Sequence, residues 1–572
     1  MKFWYNPNFL AIVTLLLLSI PALKSLTIPG FYTSHDGETH TARIAAYYQA
    51  LADGQFPPRF AGNFYNGLGS PIFVYIYPIP YLAGSAIHRL GFSFADSFKI
   101  IMALGFILSA IFTYLWLKEV FKSEKAAFLG ALFYVWAPYR FLLIYVRASI
   151  SELLAYTFLP LLFYSLTKLK EKQSLLWISL SAISFSLVLL SQNLVAMISL
   201  PVIGGYILIL SFHSKSFKYL LKSTISMIWG FAIASVTYLP LLFEMKSVHF
   251  NEIIRVAYDT HFVTLKQLIR SPWGYGFDMP GAVNDQMSFQ LGLAHLLVLM
   301  LAILLVVYFL FKNFKVARTT PFVLSVFFLI TVVVSVFLML DTLLIREIWL
   351  RTKLSNFIDI PWRFLGITTF ALSFLSAFVA RNLKPGLIFL LLVAVVVVAN
   401  RNHLRINQAI ARSDSFFENY TEHATQYGEF TPLWRQSTKT PIGFDIQTKA
   451  EVISGQADIS HILSKSNQVS FSANVKSPAS QVRINKFYFP GASVEVDGKK
   501  LKPFNDLIVT DPKNLHLEKE QDGTGLMLIN LGEGSHQVTA KFGETPLRLF
   551  ADYLSLGLLV LAVGFVVKNV KR

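Results

Sequence analysis

The residues best suited to chemistry follow the first apolar run of the chain: Thr33-Ser34-His35-Asp36-Gly37-Glu38-Thr39-His40-Thr41-Ala42-Arg43. Two carboxylates and two imidazoles fall here close to where a helix would leave a bilayer. A carboxylate partly shielded from water has its pKa raised and can take a proton from an acceptor hydroxyl. The same acids, Asp36 and Glu38, could hold a divalent cation (Mg2+ or Mn2+) that neutralises a phosphate leaving group. A solvated loop with Asp36 capping the next helix accounts for these residues without any chemistry.

The second constellation is Arg147-Ala148-Ser149-Ile150-Ser151-Glu152, a short turn between two apolar runs. Charges at the mouth of a helical bundle are costly unless they are paired or used. Arg147 could grip a lipid phosphate while Glu152 orients it. An ion pair fastening two helices is the structural alternative. Arg140, Arg346, Arg351, Lys353 and Arg363 are expected at the same membrane face, near Tyr139, Trp349 and Trp362. Such arginines suit an anionic polyprenyl phosphate headgroup, and they equally suit interfacial anchoring. The connection 244–290 carries His249, Arg255, His261, Asp278 and Asp285 and is long enough to favour a lid or acceptor-binding role. Its histidine spacing matches no metal motif.

These groups must be positioned by elements made for lipid. Of 572 residues, 54% are hydrophobic and only 15% charged, against roughly 25% charged in soluble domains. The formal charge of +17 lies in short clusters between apolar runs, which reads as topology and anionic-lipid contact and argues against a nucleic-acid partner. There is no cysteine, so packing alone must hold the non-membrane parts.

Runs able to cross roughly 30 Å of hydrocarbon occur near 9–28, 97–117, 126–145, 153–168, 174–191, 194–212, 223–243, 291–311, 320–340, 362–380, 385–400 and 549–567. The first reads as an uncleaved span, since no small-x-small site precedes Lys24. With a cytoplasmic N-terminus, alternate connections carry Lys118/Lys122/Lys125, Lys168/Lys170/Lys172, Lys215/Lys218/Lys222, Lys312/Lys315/Arg318 and Arg381/Lys384, as the positive-inside rule requires. Counting Pro71 to Arg89 as a crossing would reverse that pattern, and Pro78 and Pro80 interrupt the run. It reads as an interfacial or re-entrant element, with a true span as the alternative.

The organisation that follows is a transmembrane domain over 1–400, with outside connections at 29–96 and 244–290 and an extracytoplasmic region over 401–548. A last span and a cytoplasmic tail fill 549–572. From about 440 the alternation in Gln468-Val469-Ser470-Phe471-Ser472-Ala473-Asn474-Val475 and the Asp497-Gly498 turn predict a β-sandwich. The basic turns are too short to fold a nucleotide site, and no Gly-rich phosphate loop occurs. An ATP-driven or nucleotide-sugar enzyme is thereby disfavoured.

Several segments resemble a known family. Ser34 to His40, Gly54-Gln55-Phe56-Pro57-Pro58-Arg59-Phe60, Asn66-Gly67-Leu68-Gly69-Ser70-Pro71 and Tyr77-Pro78 are similar to the bacterial membrane proteins labelled 6-pyruvoyl-tetrahydropterin-synthase-related, and to the wider YfhO-type group. The likeness continues through Ala137-Pro138-Tyr139-Arg140, Tyr145-Val146-Arg147, Pro361-Trp362-Arg363-Phe364 and Phe487-Tyr488-Phe489-Pro490-Gly491. Nothing here supplies the His-rich zinc site of pterin chemistry.

The resemblance implies the fold of the GT-C glycosyltransferases, in the cytoplasmic (inner) membrane of a bacterium. It implies transfer of a sugar from a polyprenyl-phosphate carrier to a glycan or protein acceptor outside the cytoplasm. Carried over, Asp36 becomes the catalytic base and Glu38 a second carboxylate. His35, His40, Arg43, Arg147, Glu152 and Arg363 become the candidate substrate and lipid-phosphate contacts. The acidic pair is Asp-Gly-Glu rather than a doubled acidic motif, which leaves the cation open. A lipid-linked glycan transporter or flippase, and a non-catalytic envelope assembly protein, remain as alternatives.

Overall fold

The computed structural model describes residues 7–250, 258–280, 285–384, 386–422, 425, 428–435, 448–501 and 525–570. The expected Arg255 therefore lies outside the described residues. Among the described residues, eight helices are long and apolar enough to cross a membrane: Pro7–Thr27, Phe94–Phe121, Ile150–Lys172, Asn193–Ser214, Leu293–Lys312, Thr320–Met339, Pro361–Asn382 and Pro546–Asn569. Two bent pairs, Glu124–Val135 with Pro138–Val146 and Phe217–Ile233 with Ser235–Ser247, and two shorter apolar helices, Leu175–Ser191 and Leu387–His403, account for the remaining runs. The lysine-rich turns end their helices sharply: Lys122, Gln173 and Lys215 each take a left-handed conformation at the C-terminal cap.

Pro361–Asn382 lies at the centre of the bundle, with 94% of its apolar stretch buried. Around it Trp116 stacks on Phe370 at 4.8 Å and meets Phe163 at 5.1 Å. Gly130 brings the helix Glu124–Val135 close, because a Cβ there would meet the Ser373 carbonyl and the Ala377 methyl at 3.0 Å. Small residues at such contacts let helix backbones approach when no hydrophobic force between helices is available.

The run 71–90 forms two short helices, Ile72–Tyr75 and Ile79–Arg89. Eleven helical residues rise about 16 Å, half a bilayer core, so this element packs on the bundle and does not cross as one helix. Gly84 allows the packing, since a Cβ there would overlap Ile44 of the helix Gly37–Ala52 at 2.6 Å.

The strands Ala450–Ser454, Ala457–Lys465, Gln468–Phe487, Ala492–Val496, Lys499–Lys500 and Leu526–Phe542 form one antiparallel hydrogen-bonded sheet. Its two long strands pair along their length with register breaks between Val475 and Ala479 and between Ile484 and Phe487. The first break switches the buried side from Val469, Phe471, Ala473 and Val475 to Val482 and Ile484, and all six belong to one core. The expected sandwich is thus built from one sheet folded over at bulges, as at sandwich corners. The turn at Asp497-Gly498 has φ of 50° and 76°, the primed hairpin geometry expected for that dipeptide.

The sheet docks on the connection that follows Gly37–Ala52. The Gln55 amide donates to the Ser466 hydroxyl at 2.8 Å, Asp53 accepts from the Ser466 backbone at 2.7 Å, and the Leu68 carbonyl accepts from Phe487 at 3.0 Å. Arg59 pairs with Glu544 and Asp552 and donates to the Val236 carbonyl at 2.8 Å, satisfying the backbone where the Phe217–Ser247 pair bends by 71°. The segment after Leu387–His403 turns back to the first connection, where Ala409–Ile410 pairs with Phe31–Tyr32.

Candidate functional site

The segment Phe31 to Glu38 is held between two distant stretches of chain. On one side Tyr32 donates to the Ile144 carbonyl at 2.7 Å, and the backbones of His35 and Asp36 donate to Val146 and Arg147 at 3.0 and 2.9 Å. On the other side the two-residue ladder with Ala409–Ile410 is extended by Thr33 donating to Gln408 at 3.0 Å. Gly37 is required by the fit, because a Cβ there would lie 2.4 Å from Ser34 Oγ and 3.0 Å from the Ala148 methyl.

The turn that meets this segment is unusual in its backbone. Leu142–Val146 is a π-helical turn, and Arg147 donates to the Leu142 carbonyl at 2.9 Å, five residues back. Ala148 follows with φ of 53°, a left-handed conformation costly for alanine. Such strain persists where surrounding structure imposes it, often at functional sites. Here it sets Arg147 between Asp36 and Glu152.

Arg147 Nη1 lies 2.5 Å from Glu152 Oε2, and Nη2 lies 3.6 Å from Asp36 Oδ2. Glu152 is buried and also accepts from the Tyr139 hydroxyl. The Asp36 side chain is 42% exposed, so the ion pair runs from a sealed acid through an arginine to an accessible acid. The Trp362 ring covers the guanidinium at 5.0 Å, and its indole donates to the Asp278 carbonyl at 3.0 Å. Arg363 Nη2 is 3.3 Å from Asp359. Thr33 Oγ1, Ser34 Oγ, His35 Nε2, Arg363 Nε and Asp359 Oδ1 are buried and find no hydrogen-bond partner among the described residues. Buried polar groups are normally paired, so five such atoms on Thr33, Ser34, His35, Asp359 and Arg363 set this region apart.

Asp278, named with the other polar residues of the 244–290 connection, lies beside this site, its carbonyl accepting from Trp362. Burial would raise its carboxyl, but the neighbouring His261 imidazole and the charge of Arg147 bring it down to about 2. Its Oδ1 lies 3.7 Å from His261 Nε2. Asp285 instead accepts from Gln267 at 2.5 Å and Ser271 at 2.8 Å and shapes its own loop.

The structure separates other expected residues from Asp36. Asp36 stands at the N-cap of Gly37–Ala52 but its side chain makes no capping hydrogen bond, so the simple cap does not explain it. Glu38 turns the other way, accepting from Arg412 Nε at 2.8 Å. His40 is buried with Nδ1 3.1 Å from the Tyr81 hydroxyl. Burial, with Arg43 and Arg147 nearby, holds it well below the usual imidazole range, so it presents no cation to a phosphate. Arg43 Nη1 donates to the same hydroxyl at 3.2 Å. Arg140, expected at the headgroup level, is enclosed in the bundle, where it donates to Ser109 at 2.7 Å beneath the Tyr134 ring. It follows the 48° bend between Glu124–Val135 and Pro138–Val146. Arg346 is taken up by Asp259 and Asp341.

Two residues were missed outright. Asp359 precedes Arg363 by four, a helical pairing distance that was readable. Arg412 gave no local signal, because its partner lies 374 residues away.

No protein-family model matches the chain. An uncharacterized protein of Lactococcus lactis subsp. cremoris (strain MG1363) is 25% identical over 252 residues, 43% of this chain, and the matched part spans 41% of that relative's length. Among solved structures, the apo oligosaccharyltransferase of Archaeoglobus fulgidus is similar with a TM-score of 0.42 and 14% identity. That match covers 77% of this chain and 62% of the other.

Proposed function

We propose that the chain is a GT-C-type glycosyltransferase of the bacterial cytoplasmic membrane. It moves a sugar from a polyprenyl-phosphate carrier to a glycan or protein acceptor on the extracytoplasmic side, where the sheet domain also lies. The placement of the lysine-rich turns at the opposite end of the bundle supports this orientation. The observation that carries the reading is the line Glu152–Arg147–Asp36, which ends in an accessible carboxylate beside buried, unsatisfied polar groups.

In this reading Asp36 removes the proton of an acceptor hydroxyl as its oxygen attacks the anomeric carbon. The bond between that carbon and the phosphate oxygen breaks, and its electron pair leaves with the phosphate. A phosphodiester with one charge becomes a monoester carrying an additional one, while Asp36 becomes neutral. Negative charge thus passes from Asp36 to the leaving phosphate, and Arg147, pinned by Glu152, stays to meet it. Arg363, whose Nε has no partner among the described residues, is a second donor. Groups preorganised toward developing charge favour the transition state over the bound donor.

Asp36→Asn tests the reading. Transfer from a polyprenyl-phosphate-linked sugar by the detergent-purified chain should fall by about 10²-fold or more, the scale of a lost general base, at unchanged protein level. Unchanged transfer, or an unchanged glycan profile in cells, removes the catalytic role.

A further inference from the structure

Each acid of Asp36-Gly37-Glu38 is met by an arginine from elsewhere in the chain. Arg147 reaches Asp36 from the π-helical turn at 3.6 Å, and Arg412 reaches Glu38 at 2.8 Å from the segment that pairs with Phe31–Tyr32. Arg412 is itself fixed, with its guanidinium 4.4 Å from the Phe416 ring and Nη1 donating to the Ala411 carbonyl at 3.2 Å. The divergence follows from helix geometry: positions two apart are turned about 200° from each other at 3.6 residues per turn. Asp36 accordingly faces 144–152 and Glu38 faces 408–412.

A Mg2+ or Mn2+ ion takes about six ligands, commonly including one or two carboxylates, at near-ideal angles. These two acids do not converge to supply them, and no group of three His, Cys, Asp or Glu side chains suited to a metal occurs among the described residues. The residues present do not fit the cation that the acidic motif first suggests. Arginine differs from a loaded ion in being permanently charged and covalently placed, with donors in a fixed fork.

We infer that Arg147 and Arg412 supply the counter-charge that the acidic motif would otherwise draw from a divalent cation, so that sugar transfer here proceeds without one. Arg412 is on this account a positioning residue: it holds Glu38, and through it the first turn that carries Asp36. The inference rests on the sugar-transfer reading for its catalytic readout and is independent of it for its binding readout.

The test uses the full chain in nanodiscs. Mn2+ alone, at millimolar concentration, is titrated and free ion is followed by electron paramagnetic resonance, with Asp36→Asn and Glu38→Gln in parallel. No binding that depends on either acid is expected, and a stoichiometric Mn2+ lost in either variant overturns the inference. Transfer is then measured with and without EDTA. Unchanged rates are expected, whereas loss restored by Mn2+ or Mg2+ overturns it. Arg412→Gln and Glu38→Gln should each lower kcat by about tenfold, the worth of one charge-assisted hydrogen bond, at unchanged melting temperature. Arg412→Lys should recover most of the rate, and the double variant should be no worse than either single. Full activity in Arg412→Gln overturns the positioning role. A chain that transfers no sugar under any condition refutes the proposed function, and the Mn2+ titration still decides this inference.

Discussion

Glu152→Gln separates what the buried ion pair does for the fold from what it does for the site. Glu152 is 1% exposed and lies 2.5 Å from Arg147, with Tyr139 donating to its other oxygen. Two unit charges about 4 Å apart are worth about 4 kcal/mol at an effective dielectric near 20. Breaking a buried pair by removing one partner typically costs about 3–5 kcal/mol, because the other charge is left uncompensated. Asp36, at 3.6 Å, retains part of the compensation, so the lower end, about 3 kcal/mol, is expected. In differential scanning fluorimetry of the detergent-solubilised chain, Glu152→Gln should lower the melting temperature by roughly 2–3 °C. Arg147→Met with Glu152→Leu replaces both charges by apolar groups of similar volume and should recover most of that stability. The double variant should nevertheless transfer no sugar, since the group that meets the leaving phosphate is gone. A double variant that melts normally and remains active would refute the assignment of Arg147 to the chemistry. A Glu152→Gln protein that melts normally would refute the buried ion pair itself.

Two further outcomes follow from the packing. Gly37→Ala places a methyl 2.4 Å from Ser34 Oγ and 3.0 Å from Ala148. It should push the acidic segment off the π-helical turn and lower transfer by about 10²-fold, the scale of a misplacement of about 1 Å, as read by a single-turnover assay. Lys486→Met should stabilise the docked sheet in a pH-dependent way. Lys486 is 3% exposed, and burial, with Lys449 nearby and Asp53 opposing, brings its ammonium from 10.5 down to about 7. Above 10.5 neither folded nor unfolded chain carries this proton; as pH falls, the unfolded chain takes it first, so the cost of burying Lys486 grows until about 7 and is constant below. At 1.36 kcal/mol per pH unit the cost reaches up to about 5 kcal/mol, less about 1 kcal/mol for the hydrogen bond to Lys465 that methionine loses. Native-state proteolysis should show Lys486→Met more protected than wild type at about pH 6 and the difference shrinking by about pH 9. Equal protection at both would refute the buried lysine.

The spans were readable because their signal is local: a helix in lipid must satisfy its backbone within itself and bury nothing polar outward. Each of the twelve runs became helical, including the two that bend. The Asp497-Gly498 hairpin was readable for a similar reason, since two adjacent positive φ values select that dipeptide. The site was legible in its parts and not in its pairings. Asp36, Arg147 and Glu152 stood out as charges beside apolar runs, but nothing in their neighbourhoods fixed which arginine meets which acid. Asp36 and Glu38 look like a chelating pair in one dimension and diverge in three, while Arg412 joins the site through a contact across 374 residues and Asp278 through His261, Trp362 and Arg147. Arg140 misled because its burial is set by Ser109 and the Tyr134 ring, packing that a charge beside an apolar run does not reveal.

The sheet domain and the acidic segment are served by different parts of the region after residue 400. The sheet's hydrogen bonds run to Asp53, Gln55, Gly67 and Leu68, beyond the helix Gly37–Ala52. The acidic segment is instead bracketed by Gln408, Ala409, Ile410 and Arg412, which leave the bundle before the sheet begins. Two fixed supports therefore act on one helix, with 408–412 at its N-terminal end and the sheet beyond its C-terminal end. A shift of the sheet would reach Asp36 through Gly37–Ala52 as a rigid rod about 24 Å long, whereas a change at Arg412 would reach it through a single turn. This asymmetry places the control of Asp36 in the short linking segment and makes the sheet a clamp on the far end of the lever.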